Sequence, residues 1–398
     1  MQRMQQMPEK KQQVTAIALI MLIVLLSVFP IDVLLPSFPA LSEHFQRPST
    51  DIALSVSLFV LGIALSQLFI GPLSDVFGRK YLLLGGIAVT LVGGLGCAVS
   101  VDFLPFMFFR MLQALGCGCF VLCQALIQDL FEGQERTRVR ILQVTATGVL
   151  ISLSPLAGTF LQWLWGWRGG FYVYCALALL IWLLAWRNLD NRSPVATPPR
   201  KNLLQGYRLV LGNFAFVGNY LLSALAFSCH FAFIVVSPIL FMEQLGLSQF
   251  QYGLMLLGYG AAYIAGGFGA GWLNRRIAPD TQVVAGLGLI LLSAPVMLLL
   301  SHQYERSALT ILLPMLLCTA GTTLVRPTVS TRAMEIFPDN AGVAASAGST
   351  LIFVAAALIS ALVSLFTRQL EWTLALSFIG FSTAGLVLNS RLGKHRSR

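Results

Sequence analysis

The stretch Gly71-Pro72-Leu73-Ser74-Asp75-Val76-Phe77-Gly78-Arg79-Lys80 lies between two long apolar runs, at about residues 52–74 and 80–100. Its glycines permit a tight turn and close contact between helices. The basic pair that follows the turn is typical of a connection on the cytoplasmic side of a membrane. The stretch therefore predicts two membrane-spanning helices joined by a short cytoplasmic turn.

The composition of the whole chain agrees with this reading. Of its 398 residues 57% are hydrophobic and only 11% are charged, whereas a soluble chain has about 25% charged residues. The mean hydropathy is +0.78. Such a chain has too few charged residues to cover a soluble surface, so we exclude a water-soluble enzyme.

Twelve apolar runs are long enough to cross a membrane, which takes about 20 residues each. Backbone groups in lipid must be hydrogen-bonded within the segment, so these runs are predicted to be helices. The runs fall at about 14–40, 52–74, 80–100, 103–128, 139–163, 169–187, 212–241, 250–272, 281–301, 307–330, 342–366 and 372–390.

The basic residues predict the orientation, because Lys and Arg are retained on the cytoplasmic side. Twenty of the 26 fall in the two tails and in the connections expected on one side. The opposite side holds four, Arg47, Arg168, Arg306 and Arg368, and two lie inside spans. We therefore expect a multi-pass protein of the bacterial inner membrane with both termini in the cytoplasm. This placement also explains the net charge of +10 without nucleic acid as a partner.

Residues 188–211 form the longest connection and are rich in proline and polar residues. They predict a cytoplasmic linker between two six-helix bundles, at 1–187 and 212–398. The connection between the eighth and ninth spans, GAGWLNRR, corresponds to the stretch at 71–80, which connects the second and third spans. This weak internal symmetry indicates two related halves with a site between them.

The stretch at 71–80 resembles the loop signature of the major facilitator transporters, in which Gly-Arg-Lys follows a glycine and an Asp. The resemblance implies the major facilitator fold, with 12 transmembrane helices in two six-helix halves. It also implies a gate that closes the cytoplasmic side, in which the arginine reaches an acid at the end of the fourth span. A solvated turn is the alternative. The candidate gating residues are Gly71, Asp75, Gly78, Arg79, Lys80 and Asp129.

Arg110 lies within the fourth span, where a charged side chain is costly and is retained when it faces a cavity. At 100° per residue Gln113, Cys117 and Gln124 share its face. An Arg followed three residues later by Gln resembles the family's fourth-span motif, whose arginine is tied to proton coupling. The alternative is an arginine that reaches the outer surface.

Asp32, in Phe29-Pro30-Ile31-Asp32-Val33-Leu34-Leu35-Pro36, is the one carboxylate well inside a predicted span. Apolar surroundings favour the neutral form of a carboxylate and a nearby guanidinium favours the charged form. Asp32 and Arg110 are expected at overlapping depths, so together they predict a proton switch. The alternative is an Asp that caps a helix end broken by proline.

The spacing Asp-x-x-Leu-Pro resembles the bicyclomycin and chloramphenicol resistance (Bcr/CflA) branch of drug:proton antiporters, with EmrD-like and MdtL-like pumps as neighbours. The resemblance covers the whole chain. The antiporter signature of the fifth span departs from the pattern, since Ser154 and Ala157 replace usual glycines. The residues that remain in this antiporter helix are Gly148, Pro155 and Gly158.

The remaining candidates are proposed to contact substrate. Arg326 precedes Pro327 in the tenth span, where a second buried cation facing the cavity would suit an anionic substrate. His230 could bind substrate or relay a proton, and Tyr259 and Tyr263 could line an apolar pocket. The alternative for Arg326 is a side chain that reaches the inner surface of the membrane. The alternative for His230, Tyr259 and Tyr263 is packing in the helix bundle. The substrate-binding candidates are Gln113, Gln124, His230, Tyr259, Tyr263 and Arg326.

Several activities lack sequence support. No P-loop is present, so ATP-driven transport is unsupported. The seven cysteines fall in apolar runs and predict buried thiols without disulfides or a metal site. A membrane-embedded enzyme would need a cluster of acids, His or Cys at one depth, and the sequence offers one carboxylate inside a span. A passive channel would need rings of like polar residues, which the sequence lacks.

We expect a monomeric exporter of drug-like molecules of the chloramphenicol or bicyclomycin type. Export would be driven by the proton gradient without a cofactor, and the partners would be the substrate, protons and lipid. The alternative cargo is an anionic metabolite such as a carboxylate siderophore.

Overall fold

The computed structural model describes residues 9–189, 203–273, 275–337 and 341–396, and these fold into α-helices joined by short connections. The helices are α1 (Glu9–Asp32), α2 (Phe38–Phe45), α3 (Ser49–Phe77), α4 (Arg79–Val99), α5 (Phe103–Cys117), α6 (Leu122–Leu130), α7 (Gly133–Trp165), α8 (Arg168–Asn188), α9 (Leu203–Leu211), α10 (Phe214–Pro238), α11 (Gln249–Leu273), α12 (Pro279–Gln303), α13 (Ala308–Ile336), α14 (Ala341–Ser364) and α15 (Leu370–Arg396).

Within the described residues, 12 helical segments are long and apolar enough to cross a membrane, which confirms the predicted spans. Polar side chains cap three of them. At the start of α11, Ser248 and Gln251 each accept a hydrogen bond from the other's backbone N–H. Ser307 and Thr310 form a capping box at the start of α13, and the Asn213 side chain accepts a hydrogen bond from the Phe216 N–H at the start of α10. These caps satisfy donors that a helix cannot bond internally.

Three spans are interrupted, although hydropathy predicts each as one continuous run. A 3-10 turn at Leu35–Ser37 follows α1, another at Gly118–Val121 separates α5 from α6, and a π-helical stretch at Ile239–Gln244 follows α10. Pro36 lies within the first of these breaks and Pro238 directly precedes the third. Proline lacks the N–H that continues the helical ladder and disfavours the helical conformation of the residue before it, which gives a physical reason for those two.

The chain forms two compact units, Met1–Leu34 with Gly62–Arg200 and Leu35–Leu61 with Lys201–Arg398. They differ from the predicted halves in residues 35–61, which belong to the second unit. There the Ser57 and Ser360 hydroxyls lie 2.8 Å apart, and Ser49 donates a hydrogen bond to Glu243. The division into six-helix halves at 1–187 and 212–398 stays a prediction. The predicted linker contains α9, and its residues 190–202 lie outside the described part.

Among the close helix contacts through glycine, one in each unit involves corresponding spans. A Cβ on Gly116 of α5 would lie 2.3 Å from the backbone nitrogen of Thr90 in α4, and a Cβ on Gly321 of α13 would lie 2.4 Å from the carbonyl oxygen of Gly286 in α12. Only glycine permits such contact. The pairs are spans three and four and spans nine and ten, which are equivalent positions in the two predicted halves.

Candidate functional site

The turn between α3 and α4 has the tight geometry that its sequence predicts. Gly78 adopts φ +84°, a value that favours glycine because it has no Cβ. Its N–H donates to the Ser74 carbonyl at 3.1 Å, while the Ser74 hydroxyl donates to the Gly71 carbonyl at 2.6 Å. The positive φ of Gly78 ends α3 at Phe77 and places Arg79 at the start of α4.

Arg79 forms an ion pair with Asp129, the acid proposed for it from the sequence. The Lys80 ammonium donates to the carbonyl of Trp186 near the end of α8, at 2.8 Å. The turn therefore joins the ends of α4, α6 and α8 on the side predicted to be cytoplasmic. The Asp75 side chain lies outside the described part, and the gating role of all these residues stays a prediction.

The C-terminal end of α1 is broken, which leaves one backbone carbonyl without its helical partner. The Leu34 N–H, which would continue the helix to Pro30, donates instead to the Ile31 carbonyl at 3.3 Å. The Pro30 carbonyl accepts a hydrogen bond from the Arg110 Nη2 at 3.2 Å. Arg110 thus satisfies a carbonyl at the C-terminus of a helix, where a cation is also favourable.

Arg110 is fully buried in the first unit and does not reach the outer surface. Its Nη1 donates to the Gln113 Oε1 at 2.8 Å, and its guanidinium lies 5.9 Å from the Phe171 ring centroid. The arginine therefore holds α1 and α5 together. The sequence motif Arg-x-x-Gln is explained by this bond, since residues three apart share a helix face.

The structure does not join Asp32 to Arg110. Asp32 is 8% exposed, and its carboxylate forms no hydrogen bond or ion pair in the described part of the chain. The arginine is engaged by Pro30 and Gln113 instead. The expected pairing of Asp32 with Arg110 is absent from this conformation, in which the Pro30 carbonyl and the Gln113 side chain accept from the guanidinium. The proposed role of both residues in proton coupling stays a prediction.

The antiporter helix packs directly on the same break. A Cβ on Gly158 of α7 would lie 2.3 Å from the Val33 carbonyl oxygen, so only glycine fits there. Elsewhere in α7 the Ser152 hydroxyl donates to the Gly148 carbonyl at 2.9 Å and Thr159 to the Pro155 carbonyl at 3.1 Å. Gly158 therefore fixes the fifth span against the residue that follows Asp32.

A polar network connected to Arg110 through Gln113 was not predicted from the sequence. The Thr90 hydroxyl lies 2.6 Å from the Tyr174 hydroxyl and donates to the Gln113 carbonyl at 3.0 Å. The Gln113 Nε2 has no partner in the described residues, and Gln113 lines a cavity of about 20 Å³ with Pro30 and Tyr174. A lone Thr or Tyr in an apolar run carries no signal that could have revealed this cluster.

Gln124 does not join Arg110 on a continuous face. The 3-10 turn at Gly118–Val121 changes the rotation per residue, so the 100° rule fails beyond Cys117. Gln124 is exposed and donates to the Gln143 side chain of α7 at 3.0 Å. Its proposed contact with substrate stays a prediction.

The structure brings together the four remaining candidates in the second unit. The His230 and Tyr259 rings stack with centroids 5.3 Å apart, and the Tyr259 hydroxyl bonds the His230 Nδ1. Tyr263 lies 5.3 Å from His230 between ring centroids and accepts from the Arg326 Nη1 at 3.3 Å. Arg326 also lies 4.2 Å from the Phe227 ring centroid. We call Phe227, His230, Tyr259, Tyr263 and Arg326 the arginine–aromatic cluster.

A second buried carboxylate, Glu371, was also missed, because it lies at the start of the last span beside polar residues. It is 4% exposed and accepts from the Arg306 Nη2 at 2.8 Å. The Gln244 side chain accepts from Arg306 and donates to the Thr367 carbonyl. These contacts join the ends of three spans in the second unit, on the side predicted to be outside.

The cysteines do not form a site. All seven are free and buried, which confirms their reading as buried thiols. Among the residues that the structure describes, no three His, Cys, Asp or Glu side chains lie together as a metal site would require.

Comparison with known proteins agrees with this architecture. The chain is 25% identical over 325 residues to "Multidrug resistance protein MdtL" of Citrobacter koseri, covering 81% of this chain and 82% of that protein. It is 27% identical over 328 residues to the protein of the same name from Salmonella typhimurium, covering 81% of each. The crystal structure of a D-xylose–proton symporter has the same fold, with TM-score 0.74, 18% identity and coverage of 94% of this chain and 97% of that one.

The family profile described as "Major Facilitator Superfamily" matches residues 20–360, which is most of the chain. Together with the 12 spans, the turn at Gly78 and the multidrug-resistance relatives, this match settles the family. The chain belongs to the Major Facilitator Superfamily, as a multi-pass membrane transporter similar to the MdtL proteins.

Proposed function

We propose that this transporter exports drug-like molecules of the chloramphenicol or bicyclomycin type across the bacterial inner membrane in exchange for protons. Its similarity to proteins named for multidrug resistance supports export of this substrate class. The distribution of basic residues supports an orientation with both termini in the cytoplasm. The proton gradient supplies the energy without a cofactor, and the working unit is a monomer.

Asp32 carries the proposal for proton coupling. It is a buried carboxylate at the end of a broken helix, without an ionic partner in the described residues. Ionisable residues inside membrane spans commonly mark ion and proton pathways. Because nothing in the described part holds Asp32 in its charged form, the group can exchange a proton without breaking an ion pair.

The break in α1 links that proton to movement of the helices. The Pro30 carbonyl, two residues before Asp32, is held by Arg110 of α5, and Val33, one residue after it, packs on Gly158 of α7. A change of charge at Asp32 therefore acts on the end of α1, which is in contact with α5 and α7. Proton binding from outside releases substrate outward, and the Arg79–Asp129 ion pair closes the inner side.

Everted membrane vesicles under an imposed pH gradient test this proposal. Addition of chloramphenicol should cause proton release from vesicles that contain the wild-type protein, and Asp32→Asn should abolish it. Asp102→Asn is the matched control, because Asp102 is exposed at the start of α5 and its side chain caps no helix N–H. Unchanged proton release in Asp32→Asn would exclude Asp32 as the proton carrier.

A further inference from the structure

Arg326 has a positive charge that nothing in the described residues balances. No ion pair involves it, and of its five N–H donors one has a protein acceptor, the Tyr263 hydroxyl. The Nε is buried without a hydrogen-bond partner. Buried donors in native proteins are nearly always paired, so an unmet donor indicates that an acceptor from outside the chain belongs here.

Two aromatic side chains contact the guanidinium, while Arg326 as a whole stays partly exposed. Phe227 covers one face of it at 4.2 Å, and Phe227 is itself packed on Phe353 at 5.9 Å between centroids. Arg326 is only partly buried, so part of the side chain contacts solvent. A guanidinium fixed in this way loses little freedom when it binds a ligand.

The other polar groups of the arginine–aromatic cluster do not compete for this role. Tyr259 and His230 satisfy each other through their hydrogen bond, and Tyr263 offers its hydroxyl oxygen to Arg326. The donors that remain on Arg326 suit a carboxylate, whose two oxygens accept parallel N–H bonds from a guanidinium. The four rings around it provide an apolar, aromatic surface for the rest of such a ligand.

We propose that the arginine–aromatic cluster binds the carboxylate of an aromatic acid, with Arg326 as the anion-binding residue. This inference rests on the proposed function, because it names a chemical class of cargo for the exporter. It places the recognition of anionic cargo in the second unit, close to the middle of α10 and α11. Proton coupling at Asp32 belongs to the first unit and uses other residues.

Equilibrium binding to the purified full-length protein in lipid nanodiscs tests the site. The probes are 2-naphthoate and 2-naphthamide, which share the ring system and differ in charge. Wild-type protein should bind the acid at least about tenfold more tightly than the amide, as expected for hydrogen bonds to a charged group. Equal binding of the two probes by wild-type protein would overturn the proposal without any variant.

Three variants assign the preference to Arg326. Arg326→Gln should remove it, and Arg326→Lys should keep only part of it, because an ammonium lacks the planar fork. Arg332→Gln is the matched control on the same helix, since Arg332 donates to Asp280 at 2.9 Å outside the cluster. An unchanged preference for the acid in Arg326→Gln, or its loss in Arg332→Gln, would contradict the assignment.

A transport measurement separates this inference from the proposed function. If chloramphenicol-induced proton release occurs but the two naphthyl probes bind equally, the anion site is wrong and the export function stands. If the acid is preferred through Arg326 but neither probe nor chloramphenicol moves across the membrane under a pH gradient, the site stands and the export function is wrong.

Discussion

The end of α1 gives the charged residue deep in the fourth span a structural role. The Leu34 N–H bonds the Ile31 carbonyl, which leaves the Pro30 carbonyl without its helical partner, and a carbonyl without a partner in lipid is costly. Arg110 supplies a donor to the Pro30 carbonyl, so the break in α1 and the arginine of α5 form one structural unit. The contact between α1 and α5 therefore depends on the geometry of the guanidinium as well as on its charge.

Replacement of Arg110 by lysine tests that claim. The arginine uses two different nitrogens, one for Gln113 and one for Pro30, and a single ammonium cannot replace their fixed fork. Arg110→Lys should therefore lower the rate of substrate-induced proton release roughly tenfold or more, as expected for loss of one charge-assisted hydrogen bond. Vesicle assays at matched protein levels measure the rate.

Arg138→Lys is the control for this prediction, because Arg138 is exposed near the start of α7. It should transport at the wild-type rate. Full activity in Arg110→Lys would show that charge alone is required at position 110.

The sequence predicted the burial of Asp32 and Arg110 better than it predicted their partners. Depth along each span placed Asp32 near Arg110, but depth does not show which acceptors the guanidinium meets. One acceptor is the Pro30 carbonyl, which is free because the Leu34 N–H bonds Ile31. A one-letter sequence shows no such rearrangement, so the pairing could not be predicted correctly.

At the scale of helices, hydropathy predicted all 12 spans because lipid imposes a minimum apolar length on each. It did not predict the 3-10 turn at Gly118–Val121 or the π-helical stretch at Ile239–Gln244. Both preserve the apolar character of their spans while changing the rotation of the side chains. Position around a helix is therefore less predictable than position along it, as Gln124 demonstrates.

In the second unit, helix ends are joined by an ion pair between a partly exposed arginine and a buried carboxylate. The Arg306 side chain is 42% exposed and that of Glu371 is 5% exposed. Removal of the arginine leaves a buried carboxylate without its counter-charge, whereas removal of the carboxylate leaves an arginine that water can solvate. Arg306→Ala should destabilise the protein by about 1–3 kcal/mol, and Glu371→Gln should cost less.

Thermal unfolding followed with a thiol-reactive fluorescent dye measures this difference, because all seven cysteines are buried in the folded protein. The double variant Arg306→Ala with Glu371→Gln should recover part of the loss seen in Arg306→Ala, since the two sites interact. Equal and additive effects of the single changes would show that the pair is a solvated surface contact.

The unequal distribution of charge predicts how the chain is oriented in the membrane. The excess of Lys and Arg falls in the two tails and in alternate connections, which agrees with an even number of spans. In the proposed mechanism the direction of export depends on this orientation, because Asp32 is proposed to take its proton from the outside.

The two ends of α12 provide a direct test of that orientation. Ala278 precedes the helix and Gln303 ends it, and both are exposed. In intact cells a membrane-impermeant maleimide should label Gln303→Cys and leave Ala278→Cys unlabelled, and everted vesicles should show the reverse. The buried native cysteines keep the background low, so wild-type protein is the control. Labelling of Ala278→Cys in intact cells would contradict the predicted orientation. The Arg79–Asp129 pair, which is predicted on the same side as Ala278, would then lie outside, and Asp32 would lie nearer the cytoplasmic side.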